Sequence, residues 1–213
     1  MINHTASPTP GAQRVHAPAP LTPLSQSLLD VLAARRSERV FSPQPLTQEL
    51  LETLLWAAAG VNRPELDMRT APSAKNWREI DIYATTEDGW YRFAPAAGAL
   101  QLLGRQDLRA ATGWQDFVAA APVNLVYVAD LARMDHAPKW EQKFYAALDT
   151  GYISQNVYLF CAAQGLATVA RGWVDRPALA RVMGLAPQQR VILAQTVGYP
   201  GTADAAPADG AGI

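Results

Sequence analysis

The chain has one cysteine, Cys161, so it closes no internal disulfide and has no second thiol for a metal-binding pair, which fits a reducing compartment. Histidine is nearly as scarce. His4 and His16 fall in the first 23 residues and His136 stands apart beside Asp135, so a histidine-built metal centre is not expected. No stretch approaches the ~18 consecutive apolar residues of a bilayer span, and the first residues lack the positive charge and continuous apolar core of a secretory signal. No membrane partner is expected, and the default location is cytoplasmic. Charge of one sign is also lacking: 18 Lys and Arg against 19 Asp and Glu leave a formal charge of -1. Beyond one short arginine cluster there is no basic block, hence no electrostatic footprint for nucleic acid. The Gly-x-x-x-x-Gly-Lys phosphate loop, the Gly-x-Ser-x-Gly elbow and the His-Glu-x-x-His zinc helix are all missing, and no acid–base pair stands out.

What is present is a chain of 213 residues, 49% of them hydrophobic, enough for one compact domain with a real core. Residues 1–23, with Pro8, Pro10, Pro18, Pro20 and Pro23, read as a disordered leader. Residues 24–200 read as the single folded domain, and 201–213 as a flexible, small and polar tail. A first helix is expected from about Leu24, with Leu28, Leu29 and Leu32 on one face. Thr47 is a suitable cap for a second helix whose stripe is Leu50, Leu51, Leu54, Leu55 and Ala58, ended by Gly60. Residues 61–77 read as a long irregular loop, a feature usually tied to function.

Glu79–Thr85 alternates apolar with polar, and Glu87-Asp88-Gly89 leads into a return strand at Trp90–Phe93. A short strand at Leu100–Leu103 follows, then helical segments from about Asp107 to Ala121 interrupted by Gly113, then a central strand at Val123–Ala129. Glu141–Gln164 reads as a long helix apolar nearly all round, which must be buried by its own domain or by a second subunit. Gly165 closes it, Ala167–Ala170 is a strand, Asp175 and Pro177 open a helix that Gly184 ends, and Arg190–Val197 is a last strand. Hairpins mixed with helices, without a repeated strand–helix unit carrying a glycine-rich first turn, indicate an α+β fold rather than a doubly wound dinucleotide fold.

Arg35-Arg36-Ser37-Glu38-Arg39 gathers three guanidinium groups and a hydroxyl where the first helix is expected to end. Such a cluster suits an anion, and it also suits the negative end of a helix dipole.

Several segments carry a resemblance: Arg-Arg-Ser-Glu-Arg-Val-Phe at 35–41, Pro-Leu at 45–46, Leu-Leu-Trp-Ala-Ala-Ala-Gly at 54–60, and Asn-Arg-Pro at 62–64. Arg-Thr-Ala-Pro-Ser-Ala-Lys-Asn at 69–76, Asp149-Thr150-Gly151 leading to Gln155-Asn156, Gly165-Leu166-Ala167-Thr168 and Gly198-Tyr199-Pro200 continue it. Their order and spacing resemble the FMN-dependent nitroreductase family, closest to the short branch related to the azoline-oxidising (thiazole- and oxazole-forming) dehydrogenases. The resemblance covers about Leu24 to Pro200. It implies a nitroreductase-like fold with a mixed central sheet flanked by helices, an intertwined homodimer, FMN at the interface, NAD(P)H as electron donor and a small electron-poor acceptor. No catalytic side chain is implied, since the flavin carries the chemistry. The alternative is a flavin-binding interaction protein, or a substrate-specific dehydrogenase not reduced by NAD(P)H.

Carried over residue by residue, the resemblance assigns the phosphate to Arg35 and Ser37, a backbone contact to Arg36, and the flavin N1 and C2 carbonyl to Arg39. Forked donors suit a phosphate, and a cation beside N1 favours reduced flavin. Pro72, Ser73, Ala74, Lys75 and Asn76 resemble the segment that a partner subunit brings against the ring, with Asn76 able to donate to and accept from the pyrimidine edge. Arg171 and Gly172 fall where the family offers a backbone N–H to N5. Trp77, Trp140 and Trp173 are candidates to cap a substrate site, while Cys161 and the aromatics of the long helix read as core or dimer interface. Two departures stand out. No Lys or Arg follows Arg190, where many members add basic residues to the phosphate site. The Lys-Tyr pair of the azoline-oxidising relatives is represented only by Lys139-Trp140 and Lys143-Phe144-Tyr145.

Overall fold

A computed structural model describes residues 26–202. The expected leader and the tail beyond 202 lie outside the described residues. Six strands form one sheet: β3 (Ile80–Thr86), β4 (Gly89–Ala94), β5 (Ala99–Gly104), β6 (Val123–Asp130), β7 (Ala167–Arg171) and β8 (Gln189–Gly198), in the order β5-β4-β3-β6-β8-β7. Every pairing is antiparallel. What is mixed is the layering of helices on a sheet, not the strand direction within it, since among the described residues no parallel pair forms. The expected hairpin, short strand at 100–103 and central strand are all present, the short strand lying at the sheet's edge.

Helices α2 (Gln48–Ala59) and α3 (Lys139–Gln164) pack together on the face of the sheet that presents Leu125 and Tyr127, burying Leu54, Leu55, Ala58, Val157 and Cys161. The short α4 (Arg176–Val182) covers the opposite face through Leu179 against Val126, Val128 and Val191. Alternation along β6 thus feeds two cores, as a strand period of two requires. α2 begins where the Thr47 hydroxyl accepts the Leu50 N–H at 3.2 Å, and it buries the whole predicted stripe before Gly60. α3 ends at Gly165, whose φ of 66° is the left-handed cap that glycine takes without strain.

Four expectations change. The first helix is α1 (Leu28–Ala34), opened by a reciprocal Ser27–Asp30 capping box, and Arg35 leaves it with ψ 121°, so the arginine cluster is extended chain and not a last turn. Leu28, Leu29 and Leu32 are exposed, and Val31 is the residue that α1 buries. Residues 61–69 hold a small hairpin of β1 (Val61–Arg63) and β2 (Met68–Arg69), made possible because Val61 pairs with Arg69 and the Thr70 N–H donates to Gly60 at 2.9 Å. Residues 107–121 are a single 3-10 turn at Arg109–Thr112 with further turns, not helices. There the carbonyls of Thr112 and Val118 accept from the Arg171 and Asn124 side chains instead of from a helical backbone. Finally, α3 is buried along one side only: Trp140, Phe144, Leu148 and Tyr152 remain exposed on the single chain.

Candidate cofactor site

The extended arginine segment is pinned to the ends of β7 and β8. The Glu38 N–H donates to Thr168 O at 3.0 Å, Ser42 N–H to Tyr199 O at 2.9 Å, and Gly201 N–H to Val40 O at 3.0 Å. Beside it opens a cleft of about 120 Å³ lined by Arg36, Glu38, Tyr158, Gly165, Thr168 and Pro200. Arg36 is paired with Glu38. Arg35 lies 5.5 Å over the Tyr158 ring, and Arg39 is exposed; among the described residues neither meets a carboxylate. The cleft itself carries the Arg36–Glu38 pair, while the segment as a whole sets three guanidiniums against one carboxylate, a balance that suits a phosphate-sized anion.

Tyr158, which sequence reasoning left among the core or interface aromatics, is the hub of this cleft. Its hydroxyl lies 2.9 Å from Ser37 Oγ and accepts the Ala170 N–H at 2.8 Å. One phenol therefore ties the arginine segment to the strand that leads into Arg171 and Gly172. From sequence, a tyrosine in an apolar helix is indistinguishable from core; its position two residues after Asn156 was the only available signal.

Arg171 turns its side chain inward. The buried guanidinium donates to Thr112 O, Asn124 Oδ1 and Thr196 Oγ1, each at 2.9 Å, and Gly113, having no side chain, leaves it room. Desolvation pulls its pKa down to about 10, so it stays charged at neutral pH without a carboxylate partner. Only its backbone is free for a cofactor role. Gly172 is open: nothing comes nearer than 4.0 Å to where a Cβ would stand.

Pro72, Ser73, Ala74 and Asn76 lie elsewhere. Ala74 N–H donates to Asp149 Oδ2 at 2.9 Å, Arg78 N–H to Ser73 Oγ at 2.8 Å, and Lys75 Nζ to Glu141 at 2.7 Å while lying 4.7 Å over the Trp77 ring. Asn76 is exposed at φ 54°, and its side chain takes no bond among the described residues. Asp149 and Tyr158 are nine residues apart on α3, about 13 Å of helix. Within one chain the two halves of the predicted site thus stand about two and a half helical turns apart. Trp77 is half-buried against Tyr145, whereas Trp140 and Trp173 are exposed.

An antiparallel sheet with helices on both faces, and a cleft where an extended arginine–serine segment meets a helix tyrosine, define an α+β protein with side chains of anion-binding type gathered at one end of its sheet. The model of the Nitroreductase family matches residues 32–199, and the chain belongs to this family of oxidoreductases. A nitroreductase-like protein of Methanocaldococcus jannaschii is 33% identical over 155 residues, 68% of this chain and 78% of that one. The crystal structure of a nitroreductase-like protein from Ralstonia eutropha JMP134 superposes with a TM-score of 0.81 at 38% identity, covering 93% of this chain and 97% of that one. The NADPH:FMN oxidoreductase of Vibrio harveyi, complexed with NAD+, shares the fold at a TM-score of 0.63 and 23% identity over 85% of this chain and 72% of that one. Among the described residues no helix is long and apolar enough to cross a membrane.

Proposed function

We propose that this family member is a cytoplasmic, homodimeric, FMN-dependent oxidoreductase that takes electrons from NAD(P)H and delivers them to a flat, electron-poor acceptor of nitroaromatic or quinone type. The observation that carries the reading is the Ser37–Tyr158–Ala170 link beside Arg35 and Arg39, two guanidiniums that meet no carboxylate among the described residues. The residues fit the group: a 120 Å³ cleft beside the arginine–serine segment has room for a phosphate, and the open Gly172 backbone lets a flat ring approach. When bound, FMN supplies the hydride chemistry through its N5.

The chain's own residues hold and tune. Arg35 and Ser37 bind phosphate, Tyr158 orients Ser37, Arg36 keeps Glu38 from repelling the anion, and Arg39 places positive charge where reduced flavin is negative. Asn76 reads the pyrimidine edge from the partner chain, which explains why it stands away from the arginine segment of its own. A second copy would cover Leu28, Leu29, Leu32, Phe144, Leu148 and Tyr152, an apolar surface that monomers avoid.

Purified protein should be yellow, carry one FMN per subunit and bleach with NADPH. Arg35→Gln should weaken FMN by about 10-fold to 150-fold, the loss of a charge-assisted contact, and leave riboflavin nearly unaffected because it has no phosphate. A colourless protein that takes up no added FMN would overturn the reading. The second reading, a flavin protein that NAD(P)H does not reduce, is favoured by residues 191–202, which bring no Lys or Arg to the cleft that Pro200 lines. Stable FMN with no bleaching by either nicotinamide would select it.

A further inference from the structure

Two carboxylates meet in the core under the Ser73–Asn76 turn. Glu79 is fully buried and Asp149 is 2% exposed, and Glu79 Oε1 and Asp149 Oδ1 have no hydrogen-bond partner. Their other oxygens hold the turn: Asp149 Oδ2 accepts the Ala74 N–H at 2.9 Å, and Glu79 Oε2 accepts the Ser73 hydroxyl at 3.4 Å, which in turn accepts the Arg78 N–H at 2.8 Å. The cleft beside them, lined also by Arg69 and Arg78, measures about 10 Å³, too small for an organic ligand. The cluster is therefore built to hold chain and not substrate.

We propose that Glu79 and Asp149 share one proton and form a latch that positions the Ser73–Asn76 turn, and with it Asn76. The shared proton supplies the bond that the two orphaned oxygens lack, with Glu79 as donor and Asp149 as acceptor. Two charges in so dry a site would repel and leave both carboxylates desolvated. Burial accordingly raises both pKa values, that of Glu79 to about 7, with the Asp149 charge adding to the rise. Arg69 from β2 faces the pair with its Nε unpartnered, and Arg78 lines the cleft from the turn; burial lowers the Arg69 pKa, and Asp81, the Arg133 that pairs with Asp81, and Glu79 all act on its charge. Among the described residues neither arginine forms an ion pair with Glu79 or Asp149. The turn has somewhere to go on release, because Lys75, Asn76 and Arg78 all stand at positive φ of 49° to 54°, a region that side-chain-bearing residues leave readily. The latch itself stands on the geometry above; that it sets flavin affinity rests on the proposed function.

Amide hydrogen exchange of the 72–78 peptide, corrected for intrinsic rates, tests the latch without any flavin. Wild-type protection should be highest near pH 4.5, fall roughly tenfold per pH unit from there to about 7 as opening releases the shared proton, and level off above it. Glu79→Gln, whose amide N–H stands in for the proton, should remain protected and flat across that range. Ser73→Ala serves if that variant does not fold, and it should be poorly protected at every pH. FMN affinity of the wild type should weaken in parallel with protection, and that of Glu79→Gln should not. Wild-type protection independent of pH, or a Glu79→Gln profile that falls with the wild type, would overturn the latch. A protein that binds no FMN yet shows the exchange pattern keeps the latch and loses only the flavin reading.

Discussion

Arg39 and Arg171 are both arginines of the candidate site, yet their surroundings assign them opposite work. Arg39 is exposed, so Arg39→Gln should cost little stability, weaken FMN and riboflavin alike, and lower the flavin's reduction potential in a spectroelectrochemical titration. Arg171→Met should do the reverse. It strips partners from Thr112 O and Thr196 Oγ1 in the core, which costs about 3 kcal/mol in denaturant unfolding, while FMN affinity of the folded protein hardly moves. Glu79 carries a pH dependence of stability. Its pKa rises from 4.5 in the unfolded chain to about 7 in the fold, so the native state binds the extra proton between those values, and stability falls as pH climbs through that window. The loss approaches ~3 kcal/mol, and thermal unfolding of Glu79→Gln should lack the slope. The arginine cluster was legible as anion chemistry from residue type alone. Tyr158 was not, since its role lies in a hydroxyl bonded across 121 positions to Ser37 and across 12 to Ala170.

At the scale of elements, the sequence was readable wherever one local pattern agreed with the burial that tertiary packing imposed. α2 combined a side-chain cap, a 3.6-residue stripe and a glycine stop, and Leu54 at its centre is completely buried. Leu54→Ala should therefore cost 2–5 kcal/mol, read as a lowered denaturant midpoint, without altering where FMN binds. The 107–121 segment misled because its apolar spacing resembled a helix. Its carbonyls are instead claimed by Asn124 and Arg171, residues distant in sequence that no local window reveals. The end of α1 misled for a related reason: Leu28, Leu29 and Leu32 specify a face, but nothing in them specifies that Arg35 turns extended to meet β7.

The whole molecule explains the remaining gap between sequence and structure. The sequence resemblance pointed to a site assembled from Arg35, Ser37 and Asn76, and in one chain these stand at opposite halves of α3. The exposed apolar residues of α1 and α3 supply the surface through which a second copy would close that distance. If each FMN is held by the arginine segment of one chain and the Asn76 turn of the other, as proposed, mixing two damaged chains should restore a working site. Arg35→Gln and Asn76→Ala homodimers should each bind FMN weakly at both sites. After the two are unfolded together and refolded, random pairing makes about half the dimers mixed, and each mixed dimer holds one site with both lesions and one with neither. The account predicts that about a quarter of all sites regain wild-type FMN affinity in a fluorescence titration. A mixture that binds no better than its two parents would contradict it.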